Sequence, residues 1–289
     1  MIDWPADLIT AIARRRSVLF LGAGVSMNSS NTHGGRPPSW EEFLKNAIEK
    51  CPGGNKKEMR DHLKSGDFLT CCQLIKYNMD SQWVNVVEEC FLNPQFKPHK
   101  IHEHIFGLDS SIVLTPNFDK IYDNYALSAT KNLLKVKKYY DDDIARSLRG
   151  NENQRLIVKI HGCIDTPDKL VFTREDYSEI RHKHANFYRA IDALIVTHTF
   201  LFIGCGMNDP DLTLLLEQYA RSFCAAPPHY LLMSRKVSKE YEIMLRNNYN
   251  VIIVPYSAKN NHEELTESIE KLVELVEEKR EMLATSRLW

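Results

Sequence analysis

Long apolar runs are missing from this chain. No stretch approaches the ~20 residues that a helix needs to cross a bilayer, which excludes a helical membrane span. An excess of charge of one sign is missing too. The 37 Lys and Arg nearly balance the 38 Asp and Glu, so no global field favours nucleic acid or an anionic membrane. No two of the seven cysteines stand at C-x-x-C spacing, which removes the usual pattern of a structural zinc or a redox dithiol. Their odd number and scatter (Cys51, Cys71, Cys72, Cys90, Cys163, Cys205, Cys224) suit buried reduced thiols. The opening residues Met1 to Pro5 carry no basic segment followed by an apolar run, so a secretory signal is not expected and a cytoplasmic protein is.

Short apolar runs are present. Ser17–Leu21, Ser111–Leu114, Leu156–Ile160, Phe200–Ile203, Tyr230–Met233 and Val251–Val254 are mostly continuous rather than alternating. Continuous runs suit strands covered on both faces, as in parallel sheets. Helical patterns follow three of them, at Asp209–Arg221, Lys236–Asn247 and Asn261–Met282. Strand and helix in alternation predict an α/β fold with a doubly wound, mostly parallel, Rossmann-like sheet. Between the first two strands, from about residue 39 to 106, only helical patterns occur, so an inserted helical module within a single domain of residues 1–289 is expected. Ser39 is placed to cap a helix starting at Trp40, with Glu41 and Glu42 in its first turn. Lys131–Asn153 is polar and reads either as a partly extended excursion or as a surface loop. Leu265, Ile269, Leu272, Val273 and Val276 share one helical face, which suits packing on the chain's own sheet or contact with a second copy.

Four polar or glycine-rich turns fall at the ends of these strands, the edge at which open α/β sheets bind ligands. The first is Gly22-Ala23-Gly24-Val25-Ser26. A strand ending in Gly-x-Gly and entering a helix lets backbone approach a pyrophosphate, although an ordinary tight turn has the same pattern. A third glycine is lacking, because Met27 stands at its place, and no Asp or Glu closes a second strand to hold an adenosine ribose. The second turn is Thr115-Pro116-Asn117-Phe118-Asp119, whose amide and carboxylate suit either substrate binding or a helix cap. The third is Lys159-Ile160-His161-Gly162. An imidazole there suits proton transfer at neutral pH or a structural hydrogen bond. The fourth runs from Gly204 through Cys205 and Gly206 to Asp211, with Asp209 and Pro210 also suited to start a helix.

The order of these motifs resembles the sirtuin family, whose members carry Gly-Ala-Gly-x-Ser, Thr-Gln-Asn-x-Asp, His-Gly and a late glycine-rich turn. The match runs from about residue 10 to about residue 260. The turn Gly204-Cys205-Gly206-Met207-Asn208-Asp209-Pro210-Asp211 is especially similar to that of bacterial sirtuin-like proteins of antiviral defence systems, of the HerA-associated or Thoeris-like type. The resemblance implies that Gly22, Ala23, Gly24 and Ser26 line the NAD phosphates. It implies that Asn117 holds the nicotinamide ribose and orients a water, that Asp119 and the Phe118 amide hold the carboxamide, and that His161 acts on a ribose hydroxyl or the water. It also implies that Gly204, Gly206 and Asn208 border the adenosine side.

The departures narrow the function. The family's deacylases carry two C-x-x-C pairs after His-Gly to bind zinc. Here only Cys163, Cys205 and Cys224 follow His161, so no metal is expected. The family's Pro-Asp-Phe-Arg stretch is replaced by Gly34-Gly35-Arg36-Pro37-Pro38, and Pro116 stands for the usual Gln. Hydrolysis of NAD+ to nicotinamide and ADP-ribose, in a regulated effector of anti-phage defence, is the expected function. A protein deacylase and a non-catalytic NAD or ADP-ribose sensor are the alternatives. A homo-oligomer and an activating partner such as a HerA-type ATPase are expected from the resemblance; direct nucleic-acid or membrane binding is not.

Overall fold

The computed structural model describes residues 1–149, 154–207, 209–223, 225–234 and 236–286. Seven strands, β1 (Ser17–Leu21), β2 (Ile112–Thr115), β3 (Lys135–Lys138), β4 (Leu156–Lys159), β5 (Thr199–Ile203), β6 (His229–Met233) and β7 (Val251–Pro255), form one sheet. Its order is β3-β4-β2-β1-β5-β6-β7, and every pairing is parallel. Helix α1 (Ala6–Ala13) precedes β1. The short α2 (Ala23–Ser26) follows it, then α3 (Trp40–Lys50), α4 (Lys56–Lys64), α5 (Phe68–Met79), α6 (Gln82–Phe91) and α7 (Lys100–Gly107) before β2. Helix α8 (Ile121–Ala129) leads to β3, α9 (Ile144–Leu148) to β4, and α10 (Arg174–Lys183) with α11 (Ala185–Thr197) to β5. Helices α12 (Pro210–Ser222) and α13 (Lys239–Tyr249) precede β6 and β7, and α14 (Lys259–Ser286) follows.

The continuous apolar runs bury both faces of the sheet, residue by alternate residue. Leu19, Leu21, Val113, Ile157, Leu201 and Ile203 enter one core with residues of α1, α7, α8 and α14. Val18, Phe20, Leu114, Val158, Phe200 and Phe202 enter the other with residues of α10, α11, α12 and α13. Leu265, Ile269, Leu272 and Val276 are buried in the first core, where α14 packs on α1 and α7, so that helical face is covered within the chain. Helices α3 to α6 close a third core that takes in Phe118 from the turn after β2 and Cys163, Ile164, Leu170 and Phe172 from beyond β4. They therefore stand over the carboxyl edge of the sheet. Helix α3 begins with the expected cap, Ser39 and Glu42 bonding each other's backbone amides reciprocally.

Within Lys131–Asn153 the extended alternative holds. Lys135–Lys138 is an edge strand paired to β4, and α9 follows it; residues 150–153 lie outside the described chain. Lysines alternate with Val136 there, which keeps an edge strand soluble and hides it from a search for apolar runs. The described cysteines are free thiols; Cys224 lies outside the described residues. Burial pushes the Cys71 thiol up to about 11 and the Cys205 thiol up to about 12, which keeps both protonated.

At the opposite, amino edge of the sheet, Asp109 gathers three arginines. Arg15 Nε donates to its Oδ2 at 3.1 Å, Arg155 pairs with Oδ1, and Arg280 lies 3.7 Å away. Burial raises the Asp109 carboxyl, but the Arg15 hydrogen bond and the three guanidinium charges outweigh it and hold the group below its ordinary value. A carboxylate whose folded pKa is depressed contributes stability above its unfolded pKa and loses it as pH falls through the folded value. Asp109→Ala is therefore expected to cost about 2–3 kcal/mol at pH 7, with the deficit shrinking toward pH 3. Urea unfolding of both proteins at the two pH values checks this.

Candidate functional site

All strands run the same way, so the turns after β1, β2, β4 and β5 meet at one edge. Two of them are in backbone contact. The Gly22 amide donates to Ile203 O at 2.9 Å, and the Gly24 amide to Gly204 O at 2.7 Å. A Cβ on Gly24 would stand 2.8 Å from Gly204 O, and one on Gly204 would stand 2.5 Å from Val25 N. Gly204 also has φ +65°. The glycines are thus required first by the close approach of two strand ends. Gly204→Ala is expected to lower stability by about 2–3 kcal/mol through left-handed strain and the clash, read as a lower urea midpoint at unchanged slope.

The turn after β2 is tied to the first. Thr115 Oγ1 donates to Leu21 O at 2.7 Å and accepts the Asn117 amide at 3.1 Å. Asn117 Nδ2 donates to Gly22 O at 3.0 Å and to Ser26 Oγ at 3.1 Å. Ser26 Oγ in turn donates to Asp119 Oδ2 at 2.8 Å. Asp119 Oδ1 accepts the amide of Ile121, the first residue of α8, at 2.9 Å. The side-chain nitrogen of Asn117 is thereby committed, while its Oδ1 makes no hydrogen bond among the described residues. Phe118 turns away into the third core against Phe172, ring centroids 4.4 Å apart.

Beneath this turn lies a buried cation. Lys159, the last residue of β4, is 1% exposed at its side chain and pairs with Asp123 of α8 at 3.0 Å. It also donates to the Asp119 carbonyl. Burial disfavours its charge, but the Asp123 and Asp119 carboxylates outweigh burial and hold the ammonium above its ordinary value. The sequence carries a signal for it, a lysine inside an otherwise apolar strand, though not for its partner.

His161 follows β4. Its Nε2 lies 3.0 Å from Asp209 Oδ2 and 3.2 Å from the Tyr177 hydroxyl. Asp209 caps α12 through Oδ1, with Pro210 at the first helical position. Asp209 was legible only as a cap, and Tyr177 of α10 not at all, because no strand-end motif points to it.

These turns line a cavity of about 820 Å³, within the usual range for a small-molecule site. Of the residues expected from the sequence, Gly22, Ala23, Ser26, Asn117, Phe118, Asp119, His161, Gly204 and Gly206 line it. Gly24 lines an adjoining cavity of about 580 Å³, and Pro37, Pro38 and Gly204 belong to the walls of both. Asn208 lies outside the described residues. Trp40, Phe172 and Arg174 also line the larger cavity and were not singled out from sequence. Among the described residues no group of three or more His, Cys, Asp or Glu is placed to hold a metal ion.

The SIR2-like domain family matches residues 111–254, which include the turns after β2, β4 and β5. This part of the chain is similar to the SIR2-like domain. The chain is 28% identical over 236 residues to the NAD(+) hydrolase ThsA of Enterococcus faecium, covering 80% of this chain and 45% of that protein. Defense-associated sirtuin 2 of Bacillus subtilis is 25% identical over 204 residues, covering 69% of this chain and 19% of that protein. The NAD(+) hydrolase ThsA of Bacillus cereus (strain MSX-D12) is 23% identical over 297 residues, covering 97% and 58%. The chain therefore spans less than two thirds of the length of each of these relatives.

Proposed function

We propose that this chain cleaves NAD+ to nicotinamide and ADP-ribose. The observation that carries the reading is the presence of Asn117 and His161 on one cavity with the two glycine turns. The names of the ThsA relatives point the same way. The bond to be broken joins C1′ of a ribose to a positively charged ring, so the leaving group departs neutral and the sugar gains oxocarbenium character. The protein has to hold the sugar, stabilise that charge and admit water on the opposite face. Asn117 Oδ1 is the acceptor that orients the water and a ribose hydroxyl. His161 takes the proton. Asp119 and the Phe118 amide hold the carboxamide. Gly22, Ala23, Gly24 and Ser26 border the phosphates, and Gly204 and Gly206 border the adenosine side, with the smaller cavity giving it room.

We read residues 1–289 as one catalytic domain with a helical insert at about 39–106. Its cellular role on this reading is that of a cytoplasmic effector in anti-phage defence that depletes NAD+. Such an activity harms its own cell and requires control, for which a homo-oligomer and an activating protein such as a HerA-type ATPase are the proposed means. No described helix is long and apolar enough to cross a membrane.

The test is product analysis after incubation with NAD+, with and without the activating protein and an acylated peptide. Nicotinamide and ADP-ribose are expected, without an acylated ADP-ribose product. Parental turnover in both Asn117→Ala and His161→Ala would remove the site, and acyl transfer from the peptide would make the chain a deacylase.

A further inference from the structure

The neighbours of His161 decide which ring nitrogen carries its proton. Nε2 faces two oxygens, Asp209 Oδ2 at 3.0 Å and the Tyr177 hydroxyl at 3.2 Å. That hydroxyl spends its one proton on Asp209 Oδ2 at 2.9 Å. Burial first, then the Asp209 charge, pushes the Tyr177 phenol far above its ordinary range, so it stays protonated. A tyrosine so engaged offers the ring only lone pairs, and a carboxylate never donates. Both neighbours are therefore acceptors, and Nε2 must carry the hydrogen. In the neutral ring the lone pair is then on Nδ1, which makes no hydrogen bond among the described residues.

Asp209 is placed to remain a carboxylate. Oδ1 accepts the Asp211 and Leu212 amides at 3.1 and 2.8 Å, at the start of the 13-residue α12. Burial raises the group, but His161, these amides and Tyr177 outweigh it and hold it below its ordinary value. The other titratable groups around the ring are Asp211 of α12, Tyr188 of α11 bonded to Asp211, Arg181 of α10 at 3.2 Å from Asp211 Oδ1, and the protonated Cys205.

We propose that Asp209, with Tyr177, is the positioning residue that locks His161 in the Nε2–H form and leaves Nδ1 as the base. What Nδ1 deprotonates rests on the NAD-hydrolysis reading; the tautomer does not. In that reading the water oxygen bonds to C1′ while Nδ1 takes one water proton. The C1′–N bond breaks with its electron pair going to the pyridine ring, giving neutral nicotinamide. The imidazolium is held by the Asp209 carboxylate until the proton passes to solvent.

The test uses the full chain, with its activating protein if one is needed. Long-range 1H–15N correlation on ring-labelled protein is expected to show His161 as the Nε2–H tautomer. Asp209→Asn keeps the cap, because Asn serves as well as Asp at that position, so the thermal midpoint should barely move. Its amide N–H₂ can donate to Nε2 and turn the ring to the Nδ1–H form. The kcat for nicotinamide release should fall by about 10²-fold or more, with a smaller change in KM. Parental protein in the Nδ1–H form overturns the proposal, as does an Asp209→Asn variant with parental kcat. The Nε2–H form in a protein that releases no nicotinamide would uphold the tautomer and overturn the hydrolase reading.

Discussion

His161→Ala is expected to cut nicotinamide release from NAD+ by about 10²–10⁴-fold, the usual worth of a positioned general base. The loss should fall on kcat, because the ring contributes to proton transfer rather than to holding the dinucleotide. The fold should survive the change. Asp209 retains three of its partners, the Tyr177 hydroxyl and the Asp211 and Leu212 amides, so no buried carboxylate is stranded. An unchanged circular dichroism spectrum and a thermal midpoint within a few degrees would separate lost chemistry from lost structure. Asn117→Ala should also abolish turnover, but it removes hydrogen bonds to Gly22 and Ser26 at the same time. His161 is therefore the cleaner test. A His161→Ala protein as active as the parent would mean that the cavity does not carry the reaction in this way.

Lys159→Met should be the most destabilising single change at the site. The substitution keeps much of the side-chain volume but strands the Asp123 carboxylate, itself 3% exposed. Leaving one charge of a buried pair uncompensated costs about 3–5 kcal/mol. Replacing both partners, as Lys159→Met with Asp123→Leu, should recover much of that stability, because the cost lies in the unpaired charge rather than in the missing attraction. The single variant should also recover part of its deficit as pH falls, since a protonated Asp123 no longer needs a cation. Urea unfolding of the parent, both single variants and the double variant checks the cycle. Activity should not return with stability in the double variant. Lys159 also holds the Asp119 carbonyl, and the turn that carries Asn117 is loosened without it.

The two glycine turns were legible because a backbone that must pass close to another backbone leaves a mark on the sequence. Gly22, Gly24 and Gly204 are glycines wherever a Cβ would strike the neighbouring strand end. The strands were legible for a similar reason. A parallel strand covered on both faces has to be apolar throughout, and β1 is buried at every position. Edge strand β3 escaped because one face needs no cover, and its lysines read as loop. The expected cap at Asp209 is present, but its second use on His161 depends on a tyrosine 32 residues earlier in the chain. Nothing in local spacing announces such a meeting.

Composition, apolar runs and the four strand-end turns determined by themselves that this chain forms a parallel α/β sheet with its polar turns along one edge. They did so because burial on two faces and close backbone approach constrain residues one at a time. Folding in three dimensions alone decided the partnerships: Lys159 with Asp123, Asp109 with three arginines, and His161 with Asp209 and Tyr177. An isolated acid, base or phenol is common in any sequence, and its chemistry depends on which distant group the packed helices bring within about 3 Å.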